Sequence, residues 1–104
     1  MKDGRTLFDH WPGERLREFV DEVHRRTADL RAICLLENTA GQGTCLGHRF
    51  EHLGEIITGV RQPERLGVCI DTCHAFAAGY PMATATEYDD TLGQLERTVG
   101  LERI

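Results

Sequence analysis

The chain has no excess of positive charge. Twelve Lys and Arg stand against seventeen Asp and Glu, a formal charge of −5 at pH 7. The sequence therefore carries no basic footprint for a nucleic-acid backbone. That absence does not exclude DNA, because bound cations can supply positive charge locally. No apolar run approaches the ~20 residues needed to span a bilayer, and the stretch from Met1 to Pro12 is mixed polar rather than an apolar signal core. A cytoplasmic protein without membrane contact is the expectation. None of the four cysteines (Cys34, Cys45, Cys69, Cys73) forms a C-x-x-C pair. Reduced thiols are expected in that compartment, three of them packed as small hydrophobes. Low-complexity segments and linkers are also missing. The glycines of Gly41-Gln42-Gly43-Thr44-Cys45-Leu46-Gly47 are not spaced as G-x-G-x-x-G, and no Gly-Lys-Ser/Thr follows. Both common nucleotide loops are thereby excluded. Turn geometry, or a close approach of backbone to a substrate phosphate, remains open for that loop.

What is present is a helix–strand alternation. At 104 residues the chain is expected to form one domain, 1–104, or to be a piece of a larger one, with residues 1–11 loose. After Pro12-Gly13, Leu16, Phe19, Val20 and Val23 recur at helical spacing. A strand is predicted over about 31–36, a helix from about His48 to Val60 with Phe50, Leu53, Ile56, Ile57 and Val60 inward, and a second strand over about 66–70. A loop then leads to a helix from about Thr86 to Val99, with Tyr88, Leu92, Leu95 and Val99 inward and Gly100 as its stop. Leu101 to Ile104 reads as the start of a third strand. The order implies parallel strands joined by crossovers. Their unbroken apolar character fits a sheet covered on both faces or a barrel wall. So few parallel strands leave unpaired edges. The pattern predicts an α/β fold that looks cut from a longer barrel rather than closed on itself.

The chemistry-bearing residues stand at the strand exits. Ala32-Ile33-Cys34-Leu35-Leu36 ends in Glu37, and Val68-Cys69-Ile70 ends in Asp71, with His74 three residues on. In α/β folds the carboxyl ends of strands carry the site. Carboxylates and imidazoles at such ends are ligands of the kind zinc takes. The plainer alternatives are that Asp71 caps the next turn, that His74 is a solvated loop residue, and that Glu37 is simply exposed at a strand exit. His48 and His52, at i and i+4, read as solvated rather than as a metal pair, and His24 reads as a surface residue.

Three stretches carry a specific likeness. Glu37-Asn38-Thr39-Ala40-Gly41-Gln42-Gly43, Phe50-Glu51-His52-Leu53, and Gly67-Val68-Cys69-Ile70-Asp71-Thr72-Cys73-His74-Ala75-Phe76-Ala77-Ala78-Gly79-Tyr80 closely resemble the endonuclease IV family, the apurinic/apyrimidinic endonucleases of DNA base-excision repair. The resemblance covers about residues 35–101. It implies an α/β fold that is a partial (β/α)8 TIM barrel, about three of the eight parallel strands, with a trinuclear zinc site in the whole barrel. It also implies hydrolysis of the phosphodiester 5′ to an abasic site in DNA by water activated at the metals. Matched by motif, Glu37 resembles the bridging, catalytic carboxylate, Asp71 a ligand of one of the bridged ions, and His74 a ligand of the third. The family's remaining ligands have no match here, so the chain resembles a central fragment, expected to be inactive alone and to associate with the missing barrel segments or with itself. The alternatives are a fragment of a related barrel sugar isomerase or epimerase, against which the Asn-Thr-Ala-Gly-Gln-Gly stretch argues, and a non-catalytic remnant.

Overall fold

The computed structural model describes residues 12–41 and 46–104. The expectation for residues 1–11, and the readings that fall on Gln42 to Cys45, lie outside the described residues. Helix α1 spans Pro12–Arg26, strand β1 Cys34–Glu37, helix α2 Phe50–Gly59, strand β2 Leu66–Cys69, helix α3 Thr72–Ala77 and helix α4 Ala85–Thr98. Short 3-10 turns occupy Pro63–Arg65 and Leu101–Arg103.

The two strands pair in parallel, Cys34 with Leu66, Leu35 with Gly67, Leu36 with Val68 and Glu37 with Cys69. Because side chains alternate across a strand, Leu36, Leu66 and Val68 fall on one face, where they are buried against Phe50, Leu53, Ile56 and Ile57 of α2 and Leu95 of α4. The opposite face carries Leu35, Glu37, Gly67 and Cys69. Of the two alternatives, covered on both faces or a barrel wall, the described residues match the second: on the open face Ile33 and Leu35 stand more than half exposed. All of the described helices that pack against the sheet lie on the other side.

Close packing sets where the helices sit. A Cβ at Gly54 would lie 2.2 Å from the Thr98 carbonyl oxygen, so glycine allows α2 and α4 to cross at that point. Helix α4 is started by a reciprocal cap: Glu87 N–H donates to the Thr84 hydroxyl at 3.1 Å, and Thr84 N–H donates to the Glu87 carboxylate at 3.2 Å. Gly100, at φ +94°, ends it as expected, with its N–H bonded to Leu95 O at 2.9 Å.

Five expectations are corrected. His24 is buried, 1% exposed, with no hydrogen bond to either ring nitrogen among the described residues. Leu16, Val20 and His24 form one i, i+4 line turned toward the core, and Phe19, about 100° round the helix from Val20, is exposed. Tyr88 is likewise half exposed, the buried positions of α4 being Thr91 and Leu95. Residues 72–77, read as loop, form α3 because Asp71 caps them. Leu101 to Ile104 is a turn rather than a strand. Leu101 N–H donates to the Glu96 carboxylate (2.9 Å), Arg103 N–H to Gly100 O (3.0 Å) and Ile104 N–H to Leu101 O (3.2 Å), so these amides do not extend the edge of β2.

Candidate metal centre at the strand exits

Both strands run the same way, so the residues that follow them meet at one end of the sheet. Asn38 ties the two exits together. Its side-chain amide donates to Asp71 O at 3.0 Å, and Asp71 N–H donates to its Oδ1 at 2.6 Å. Asn38 is 1% exposed, and pairing a buried amide on both its donor and acceptor sides removes most of its desolvation cost.

Asp71 is the N-cap of α3, its Oδ1 accepting from His74 N–H at 3.0 Å. The capping alternative is therefore realised, but it engages only one carboxylate oxygen. The His74 ring has its Nδ1 3.1 Å from Asn38 O and 3.6 Å from Asp71 Oδ2. A carbonyl oxygen only accepts, so Nδ1 carries the proton and Nε2 presents the lone pair. A backbone carbonyl fixing one ring nitrogen while the other stays available is the arrangement usual for a metal-binding imidazole. Glu37 lies at the same end, opposite Cys69 in register, and is exposed, its carboxylate without a hydrogen bond or ion pair among the described residues. It is not buried at the strand exit; it projects on the open face.

In kind, these donors fit zinc: one imidazole nitrogen and two carboxylates. In number they do not complete a site, because among the described residues no three His, Cys, Asp or Glu side chains converge as a metal-holding group. Asp71 and His74 are brought together; Glu37 is brought to the same rim but not into their pair. Cys34, Cys69 and Cys73 are free thiols, yet Cys69 and Cys73 are exposed, Cys69 on the open face and Cys73 in the first turn of α3. The expectation of three packed cysteines is thus corrected.

Three further residues at this end were not singled out by the sequence. Asn38 signalled itself only by following Glu37 directly. Tyr80 accepts at its hydroxyl from Phe50 N–H (2.9 Å) and stacks on the Phe50 ring with centroids 3.8 Å apart. Thr39 bonds the far side of the loop before α2, Thr39 N–H to Gly47 O and its hydroxyl to Leu46 O, each at 3.0 Å.

A parallel strand pair backed by helices on one face, with its polar residues gathered at the carboxyl ends, defines a segment of a parallel α/β barrel. The chain belongs to the xylose isomerase-like TIM barrel family, whose model matches residues 9–104. It is 48% identical over 91 residues to a probable endonuclease 4 of Trichlorobacter lovleyi, covering 88% of this chain and 32% of that protein. It is 47% identical over 90 residues to a probable endonuclease 4 of Geobacter sp. strain M21, with 86% and 32% covered. The crystal structure of endonuclease IV from Thermus thermophilus superposes with a TM-score of 0.74 at 42% identity, over 90% of this chain and 33% of that one. The chain thus spans about a third of the length of the relatives it matches.

Proposed function

We propose that this chain carries part of the active centre of a zinc-dependent apurinic/apyrimidinic endonuclease of DNA base-excision repair. It would supply Glu37, Asp71 and His74 to a site completed by other strands of the barrel. The observation that carries the reading is the strand-exit geometry. One end of a parallel sheet holds Glu37 and the Asp71–His74 pair, with His74 Nε2 left as a lone-pair donor by the Asn38 carbonyl. Identity near one half to proteins named endonuclease 4 favours DNA as substrate over a sugar.

The roles follow from the contacts. Zinc, held by Glu37, Asp71 and His74 together with ligands from the rest of the barrel, would supply Lewis-acid stabilisation to a phosphodiester under hydrolysis. Asn38 holds the Asp71 backbone and the His74 ring in place at once. The chain's own charge of −5 repels phosphate, so DNA would be held by cations and by surfaces outside this segment. The exposed face of the sheet, with Ile33 and Leu35, is where the complementary barrel segments, or failing them a second copy, would pack.

The lone chain is expected to show no specific incision of a duplex carrying one abasic analogue, even with added Zn²⁺. Robust incision by the lone chain, abolished by Glu37→Gln, would contradict the incomplete-site reading.

A further inference from the structure

The first turn of α2 is fastened both to the chain beyond α3 and to the exit of β1. Beyond α3, the Tyr80 hydroxyl accepts from Phe50 N–H. Toward β1, Gly47 N–H donates to His52 Nδ1 at 3.0 Å, while Gly47 O accepts from Thr39 N–H at 3.0 Å. Thr39 lies two residues beyond Glu37. A Cβ on Gly47, which sits at φ +100°, would stand 3.5 Å from both Glu37 O and the Thr39 methyl, so the loop rests directly on the exit of β1.

His52 occupies the third position of α2, whose N-cap Arg49 makes no side-chain capping bond. In a capping box that third position holds Glu or Gln, reaching back to the N-cap amide. Here an imidazole takes the place of the carboxylate and reaches two residues further back. Because an N–H points at Nδ1, that nitrogen must present its lone pair, and the neutral ring carries its proton on Nε2. The same observation removes the His48–His52 metal pair, whose rings meet edge-on at 4.8 Å. The unprotonated nitrogen of His52 is already engaged by the backbone.

We propose that His52 is a positioning residue for Glu37: its Nδ1 latches Gly47, and the latched loop holds the backbone of residues 37–39 at the site. The proposal rests on the endonuclease reading only for the importance of Glu37; the latch rests on geometry. Burial, and then the neighbouring His48, lower the His52 pKa and favour the neutral acceptor form that the latch needs.

The test uses the full ¹⁵N,¹³C-labelled chain without metal or substrate, so it stands or fails apart from the endonuclease reading. Two-bond ¹H–¹⁵N correlation near neutral pH is expected to show His52 bare at Nδ1 and protonated at Nε2. In His52→Ala, hydrogen exchange at the Gly47 amide is expected to quicken about five- to tenfold, the scale of one hydrogen bond, and the Glu37 carboxyl ¹³C signal to move. His52→Asn, whose amide oxygen can stand where Nδ1 stood, is expected to restore both. The Phe50 amide, held by Tyr80, is expected to stay protected throughout and reports the intact fold. A proton on Nδ1 would overturn the latch. So would unchanged Gly47 exchange in His52→Ala, or Gly47 and Phe50 losing protection together.

Discussion

The two faces of the sheet are built from similar residues and meet opposite surroundings. Leu36 and Leu35 are neighbours on one strand; Leu36 is 8% exposed under α2, and Leu35 is 55% exposed. On the helix side the packing is complete: Phe50, Leu53, Ile56 and Val68 are each 2% exposed or less. On the open side, Ile33 and Leu35 lead along β1 to Glu37, and Cys69 faces Glu37 across the pair. The comparison teaches that the apolar pattern of these strands is written for a two-sided environment, of which the described residues supply one side. The polar centre sits at the rim of the side left open. That is where a barrel interior would bring further strand ends to meet it.

The largest expected effect tests the closed face. Leu36→Ala should destabilise the chain by about 2–4 kcal/mol, the cost of a cavity in packed surroundings, read by urea denaturation. Leu35→Ala should change the stability of the monomer by less than about 0.5 kcal/mol, as exposed substitutions usually do. Similar losses for the two would erase the distinction between the faces. Next comes the join between the strand exits. Asn38→Ala should cost about 1–3 kcal/mol, because it leaves the Asp71 N–H without its partner and the Asp71 carbonyl with the Ala75 N–H alone. It should also shift the His74 ring signals. Unmoved His74 signals would separate Asn38 from the site.

The smallest effect is in pH. The His52 pKa is lowered from 6.5, first by burial and then by His48, with Arg49 acting in the same direction and Glu51 against it. A histidine with a lowered folded-state pKa stabilises the fold fully above its unfolded value, and that contribution is lost as pH falls through the folded value. Wild type should therefore lose more stability than His52→Asn on acidification. Parallel denaturation midpoints across the pH series would contradict it.

Helix positions were legible because apolar spacing repeats at 3.6 residues: α2 and α4 fall within about two residues of their predicted limits. The strand exits were legible because each apolar run stops at a carboxylate. Which stripe of each helix faces inward was less so. Phe19 and Tyr88 satisfy the helical spacing, yet the rotation of α1 and α4 is set by contacts with α2, including the Gly54–Thr98 approach, which no local period encodes. His24 entered the core by lying on the Val20 line. The roles of Asn38 and His52 were not legible because their work depends on partners 33 residues away, in Asp71, and across a loop, in Gly47. The turn at Leu101–Arg103 was misread because four apolar and charged residues cannot by themselves distinguish a strand from a turn fastened by Glu96.

The central claim is that Glu37, Asp71 and His74 of this chain serve a zinc-dependent incision site completed by the rest of a barrel. The most direct measurement places this chain's sequence into the Trichlorobacter lovleyi endonuclease 4, in place of the segment it matches there, and assays incision of a duplex carrying one abasic analogue. The account predicts a folded chimera that incises 5′ to the abasic site and loses that activity with Glu37→Gln. A folded chimera that leaves the duplex intact, or a Glu37→Gln chimera that cuts as well as its parent, would contradict it.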